Sequence, residues 1–202
     1  RNRMSLSVYS GEDKMSTKDE YNDSYSTSYN DKDLTKNDFN WGNFNMALLF
    51  EHQFSPKLFA NFNAVYTYNI SKYKSQEDES SKKEQNILNE SHYEHEYKSS
   101  IRDYGYRMSF DYRPSPHHHI RFGNDFTWHF FHPQTRNLIS SDTSMGNDTT
   151  FMSSKINYPA RECSLYAEDE MIINDHWSIN AGVNASLFSI HGKTFSNFNP
   201  RF

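Results

Sequence analysis

Three adjacent histidines, His117-His118-His119, stand out among the residues able to do chemistry, and His92-Tyr93-Glu94-His95-Glu96 adds carboxylates to the same ligand class. Imidazole and carboxylate together suit a transition metal. Neither group makes a metal site by spacing. Successive side chains of an extended chain point to opposite faces, so His118 leaves the face of its two neighbours and the three cannot converge on one ion. The second group falls in a long polar stretch and matches no diagnostic spacing. One cysteine, Cys163, excludes an internal disulfide framework and a Cys-based zinc site. It fits a small packing residue. No Ser/His/Asp order, paired-carboxylate context or phosphate loop is present, so no enzyme activity, metal or cofactor is expected.

The remaining candidates are charged and amide side chains at even spacing. Asn61 and Asn63 share a face, as do Arg107 with Asp111, and Arg121 with Asp125 and His129. Such rows suit the wall of a water-filled or plug-filled space, where their role is binding or lining. Tyr21, Tyr25 and Tyr29 recur every four residues in a polar stretch and are candidate ligand contacts.

The elements that must carry these rows are long alternating strands. Strands are expected at about 3–11, 41–54, 58–71, 101–113, 117–131, 160–173 and 177–190, with an eighth beginning at Asn199-Pro200-Arg201-Phe202. In the fourth, Tyr104, Tyr106, Met108, Phe110 and Tyr112 alternate with Asp103, Gly105, Arg107, Ser109, Asp111 and Arg113. Period-2 patterning marks a strand between two different environments. Strands of about 13 residues exceed the 9–11 that span a bilayer and the 3–10 usual in soluble proteins. All six prolines fall in turns, loops or strand starts, where no ladder N–H is needed.

The connections alternate in length. Short turns are expected at Ser55-Pro56-Lys57, Pro114-Ser115-Pro116 and Asn174-Asp175-His176, and long polar loops at about 12–38, 72–98 and 133–157. Short periplasmic turns and long extracellular loops are the pattern of an outer-membrane β-barrel. Energy sets the facing. A Lys or Arg on the lipid side costs about 2–4 kcal/mol at the midplane, an acid somewhat less. Turning the fourth strand over would expose Asp103, Arg107, Asp111 and Arg113, so its Tyr/Met/Phe face looks outward.

Composition agrees once helices are set aside. The mean hydropathy is −0.96 and the net charge of the 202 residues is −5. No stretch approaches the roughly 20 apolar residues of a spanning helix. Barrel strands escape that test because only alternate residues meet lipid. Aromatic residues make up 16% of the chain, unlike an acidic disordered segment. No Lys/Arg run suggests nucleic-acid binding. The start, Arg1-Asn2-Arg3-Met4, has no signal segment. With the odd strand count, this leads to the expectation of an internal piece of a longer polypeptide.

Several segments together carry a family resemblance. Asn40-Trp41-Gly42-Asn43 followed by Phe50-Glu51-His52-Gln53-Phe54-Ser55-Pro56-Lys57-Leu58 resembles a hairpin of TonB-dependent outer-membrane transporters. So do Ser100-Ile101-Arg102-Asp103-Tyr104-Gly105, Ile120-Arg121-Phe122-Gly123-Asn124 and Ser164-Leu165-Tyr166-Ala167-Glu168-Asp169-Glu170. Phe198-Asn199-Pro200-Arg201-Phe202 resembles the start of a further barrel strand of that family.

The resemblance implies an all-β, antiparallel transmembrane barrel segment, with residues 1–202 forming part of one barrel domain and the plug domain lying elsewhere. It implies a receptor in the outer membrane of a Gram-negative bacterium, importing a nutrient (siderophore, glycan, peptide or vitamin) through a plugged barrel. The implied partners are outer-membrane lipids, the remaining barrel strands, the plug, the inner-membrane TonB complex and, in some relatives, a surface lipoprotein. Two alternatives stand beside this: a passive porin or surface-binding adhesion barrel, and a soluble extracellular β-sandwich.

Overall fold

A computed structural model describes residues 2–26, 29–83, 86–143, 150–154 and 157–202. These form β1 (Asn2–Ser26), β2 (Tyr29–Ser55), β3 (Leu58–Lys83), β4 (Asn86–Ser115), β5 (His118–Asp142), β6 (Thr150–Ser154), β7 (Tyr158–Asn174), β8 (Trp177–Ile190) and β9 (Lys193–Arg201). All belong to one nine-stranded antiparallel sheet in the order β1-β2-β3-β4-β5-β7-β8-β9, with β6 paired to β5 off that path. The sheet is open, with β1 and β9 at its edges. No second sheet covers its apolar face among the described residues. Among the described residues no helix is long and apolar enough to cross a membrane, which says nothing of strands.

The turns at Pro56-Lys57 and Asp175-His176 stand where the sequence puts them, and the middle one is displaced from Pro114-Ser115-Pro116 to Pro116-His117, because β4 continues through Ser115. The Asp175-His176 turn is fastened by Asn174 Oδ1, which accepts from the backbone N–H groups of His176 and Trp177 at 2.9 and 3.0 Å. Such Asx capping is what asparagine supplies to a turn.

The polar stretches differ from expectation. β1 and β2 pair from Asn2↔His52 to Ser26↔Tyr29, and β3 and β4 from Leu58↔Tyr112 to Lys83↔Asn86. The described parts of 12–38 and 72–98 are therefore paired strand. Alternation vanishes there because both faces meet water, while the backbone ladder continues regardless of side-chain polarity. In the third stretch β5 runs on to Asp142 and β6 folds back against Arg136–Ser140. The eighth path strand, β9, begins at Lys193, six residues before the expected Asn199. It follows a tight turn in which His191 and Gly192 take positive φ of 51° and 71°. Positive φ at both central residues matches the twist of a two-residue hairpin.

Register carries each face across the sheet. Leu6, Leu48, Ala64, Tyr106, Phe126, Cys163 and Leu187 form one row. Two residues along lie Met4, Phe50, Phe62, Met108, Asn124, Leu165 and Ala185. Aromatic rings touch along this face: Phe62–Phe110 at 6.0 Å, Phe110–Phe122 at 4.9 Å and Tyr66–Tyr104 at 5.1 Å between centroids. Each such cross-strand pair contributes about 0.2–1 kcal/mol. The described sheet encloses no core of its own, its only buried apolar residues being Ala60 and Ala160. Its apolar face needs lipid, and the lipid-cost argument turns the opposite, charged face inward.

Candidate functional site

On that inward face lie all seven of the predicted wall residues. Asn63, Arg107 and Asp125 stand in one row across β3, β4 and β5. Asn61 sits in the next row toward the tight turns, opposite Ser109, and Asp111 and Arg121 face each other one row further. His129 lies in the other direction, opposite Asp103.

The side chains form two ionic clusters. Arg107 is ion-paired with Asp125, whose second oxygen accepts from Ser164 Oγ at 3.3 Å. His129 Nδ1 lies 2.8 Å from Asp103 Oδ1, and Thr67 Oγ1 donates to Asp103 Oδ2 at 3.1 Å. Glu162 approaches the other imidazole nitrogen at 3.7 Å. Between the clusters Gly105 forms the floor of an open cleft of about 370 Å³, also lined by Asn63, Val65 and Thr127. A Cβ at Gly105 would stand 3.4 Å from Thr127 Oγ1, ordinary contact, so the cleft owes its depth to the missing side chain.

Asn61, Asp111 and Arg121 lie outside this cleft. Asp111 is held by His119 Nε2 at 2.6 Å and Arg113 Nε at 3.4 Å. Arg121 Nε lies 2.7 Å from Glu168 Oε1 rather than against Asp111, with its N–H not aimed at the oxygen. The Oδ1 atoms of Asn61 and Asn63 are buried without a hydrogen-bond partner.

Gly123 is required by a close approach. A Cβ there would fall 2.2 Å from the Met108 carbonyl oxygen and 2.9 Å from the Tyr166 ring. Tyr166, opposite Gly123 in the ladder, covers the space that a side chain would have filled.

Other sequence candidates separate. His118 meets Asp169 at 2.7 Å, His119 meets Asp111, and His117 Nδ1 lies 3.2 Å from the Ile172 carbonyl. The three imidazoles thus take three different partners. His92 and Glu94 lie on a strand, not in a loop, and His92 bonds Asp78. Tyr21 and Tyr29 also lie on paired strands. Tyr21 donates to Asp23 Oδ2 at 3.2 Å, and the Asp23 charge pushes its hydroxyl pKa up. The side chain of Tyr25 lies outside the described residues.

Sequence reasoning passed over Asp103, Glu162 and Tyr166 as site residues, although alternation puts them on the charged face. It also passed over Arg102 and Arg161, which lie on the lipid face. Their guanidinium groups lie 5.5 Å over the Tyr68 ring and 5.1 Å over the Trp128 ring.

A family model described as TonB dependent receptor-like, beta-barrel matches residues 2–202. Among solved structures, the chain is similar to the FrpB iron transporter of Neisseria meningitidis, at 9% identity and a TM-score of 0.36, over 98% of this chain and 41% of that one. It is similar to the ferripyoverdine receptor of Pseudomonas aeruginosa, at 9% identity and 0.39, over 98% and 39%. The ferric enterobactin receptor PfeA of the same organism gives 11%, 0.35, 98% and 41%. The chain spans about two fifths of the length of these structures. No curated protein matches the sequence.

Proposed function

This chain belongs to the TonB-dependent receptor-like β-barrel family of the Gram-negative outer membrane, and we propose that it forms part of the wall of a plugged barrel that imports a nutrient. The family consists of transporters, not enzymes. In this reading further strands close the sheet, a plug fills the lumen, and the inner-membrane TonB complex supplies energy by acting on that plug.

The observation that carries the reading is the division between the faces. One face presents Phe50, Phe62, Tyr106 and Phe126, while the other presents the Arg107–Asp125 and His129–Asp103 pairs around an open cleft. The Arg107–Asp125 pair, its arginine largely exposed, can exchange partners with a plug at little cost, because exposed ion pairs are worth only about 0–1 kcal/mol each. Asn61, Asn63, Arg107, Asp111, Arg121, Asp125 and His129 then act as plug contacts or pathway lining, and no bond chemistry is asked of them. Tyr21, Tyr25 and Tyr29 serve as ligand contacts on the extended hairpin of β1 and β2.

The test is uptake by the intact protein in cells with and without a working TonB complex, using chelated iron, glycan, peptide and vitamin substrates. Uptake of one class that disappears without TonB is the expected result. TonB-independent uptake, with steady ion conductance in a planar bilayer, would replace this reading with a passive porin.

A further inference from the structure

We propose that the solute captured by this wall is a basic oligopeptide, its guanidinium or ammonium groups seated on the Phe39–Tyr73–Tyr97 row and along the acids beyond it. The inference rests on the import reading and names the substrate class.

The site begins with a row of rings on the inward face. Phe39, Tyr73 and Tyr97 stand opposite one another across β2, β3 and β4, and Arg136 of β5 completes the row. The Tyr73 and Tyr97 rings stack at 6.2 Å and 24°. His95, one row further out, stacks on Tyr97 at 6.5 Å and 8°. Trp41, one row nearer the membrane, lies 5.1 Å from the Phe39 ring. Tyr73 is 37% exposed and Trp41 38%. These rings are on the face turned away from lipid, so a membrane girdle does not account for them. Tyr73 Oη donates to Asn37 Oδ1 at 2.8 Å, which holds the ring in place.

The row already holds one cation. The Arg136 guanidinium lies 5.9 Å over the Tyr97 ring. An aromatic face attracts a cation through its quadrupole. Tyr73 and Phe39 continue the same row and offer a ligand the same chemistry.

Beyond the rings the two faces differ in charge. Adjacent residues of a strand point to opposite faces, so Lys18-Asp19 and Lys32-Asp33 each send the lysine outward and the acid inward. On the outward face lysines answer acids: Lys14 with Glu12, Lys18 and Lys32 with Glu20, Lys36 with Asp38 and Lys74 with Glu94. On the inward face Asp19 and Glu77 share one row across Thr35, and Asp33 and Glu79 are opposite in the next. Among the described residues none of these four acids has an ion pair, and Glu79 accepts from Ser91 Oγ at 3.3 Å. Of the Lys and Arg residues that β1–β5 carry beyond Trp41, only Arg136 and Lys83 lie on this face among the described residues. Tyr21 stands opposite Asp33 in the same acidic row.

Length and charge select the ligand. On β3 Glu77 and Glu79 lie about 14 and 20 Å along the strand from Tyr73. A single amino acid or a simple cation cannot reach both the rings and the acids. An extended peptide of about six residues can. An anionic chelate would meet uncompensated carboxylates of its own sign, and such juxtaposition rejects a partner.

The test uses the intact protein in nanodiscs, without TonB, and reads fluorescence anisotropy of three labelled peptide amides of equal length: all-arginine, all-glutamate and alternating Ser-Gly. The basic peptide is expected to bind about tenfold more tightly than the neutral one, a preference that fades with added salt because exposed charges are screened. The acidic peptide should bind least. Asp33→Asn with Glu77→Gln and Glu79→Gln should remove most of the preference. Asp38→Asn with Glu94→Gln, on the outward face of the same strands, should leave it intact. Tyr73→Leu should weaken binding of the basic peptide severalfold, and Tyr73→Phe should not. Equal binding of the basic and neutral peptides by the unaltered protein overturns the proposal, and that comparison needs no variant to fold. So does an equal loss from the outward-face substitutions, which would mark the attraction as one of net charge alone. If the basic peptide does not bind while another solute is taken up in a TonB-dependent way, the substrate class falls and the import reading stands. If it binds with the stated preference but its uptake does not need TonB, the site stands and the import reading falls.

Discussion

Arg107 and Asp125 stand directly opposite one another across β4 and β5 and are ion-paired on the inward face, with Ser164 of β7 hydrogen-bonded to the same carboxylate. Three strands are thereby tied at one level. The Arg107 side chain remains 65% exposed on the open face, so the pair has little intrinsic worth. Arg107→Ala is expected to cost at most about 1 kcal/mol in urea unfolding of the vesicle-embedded protein. Its effect on uptake should be larger, and Arg107→Asp with Asp125→Arg should recover part of it. Full uptake by the single variants would remove the pair from the transport path.

Facing can be measured strand by strand. Phe126 belongs to the outward row of Tyr106 and Cys163, and its neighbour Thr127 to the inward row of Gly105 and Glu162. Phe126→Lys should destabilise the embedded barrel by about 2–4 kcal/mol or more, and Thr127→Lys by much less. Comparable losses at both positions would contradict the assigned faces.

Gly123→Ala should be far more damaging than Gly105→Ala. The first puts a methyl group 2.2 Å from a backbone oxygen, the second 3.4 Å from a hydroxyl. Overpacking of this kind costs about 1–3 kcal/mol or more. The heat-dependent gel shift of the folded barrel should be reduced only in Gly123→Ala. A normal shift for both would mean that the β4–β5 ladder yields easily.

Glu20 offers a pH prediction outside the membrane. Lys32 at 2.9 Å and Lys18 at 3.0 Å hold its carboxyl at about 2, below the ordinary 4.5, chiefly by hydrogen bonding. Because the folded value is the lower one, the contribution to the β1–β2 hairpin is full above pH 4.5. It is lost as pH falls from 4.5 through 2. A carbon-13 titration of the Glu20 carboxyl should give a midpoint near 2, and Lys32→Ala should raise it. A midpoint at 4.5 in the unaltered protein would mean that the bridge does not form in solution.

The turn between β8 and β9 should tolerate His191→Gly and resist His191→Val. At φ 51° a β-branched side chain is strained, whereas glycine is not. Refolding yield of the two variants distinguishes them.

Legibility in the sequence followed the solvent. Where lipid bathes one face and the lumen the other, residues such as Tyr106 and Arg107 alternate, and both strand and facing could be read. Beyond the bilayer, Lys36, Thr35 and Asp33 meet similar surroundings on either side, so the alternation ended and paired strands resembled loops. The wall residues were legible as a face, but not as partners. Nothing in the spacing of Arg121 chooses Glu168 over Asp111, because that depends on which strand lies beyond β5. Arg102 and Arg161 were missed because a charge at the rim of the lipid face interrupts the pattern used to find that face.

The long pairing of β3 with β4, shifted in register only between Ser81 and Lys82, has a mechanical meaning. β4 is 30 residues long, about 100 Å along the strand, of which a bilayer needs only about 9–11 residues. In the proposed barrel the rest would stand outside the cell as a continuation of the same sheet. In the proposed receptor, capture by such a palisade would spend little conformational entropy on ordering loops, since folding has already fixed the backbone. A sideways push at its outer end is carried by continuous hydrogen-bonded ladder to the level of Arg107 and Asp125, as force is carried along a stiff lever.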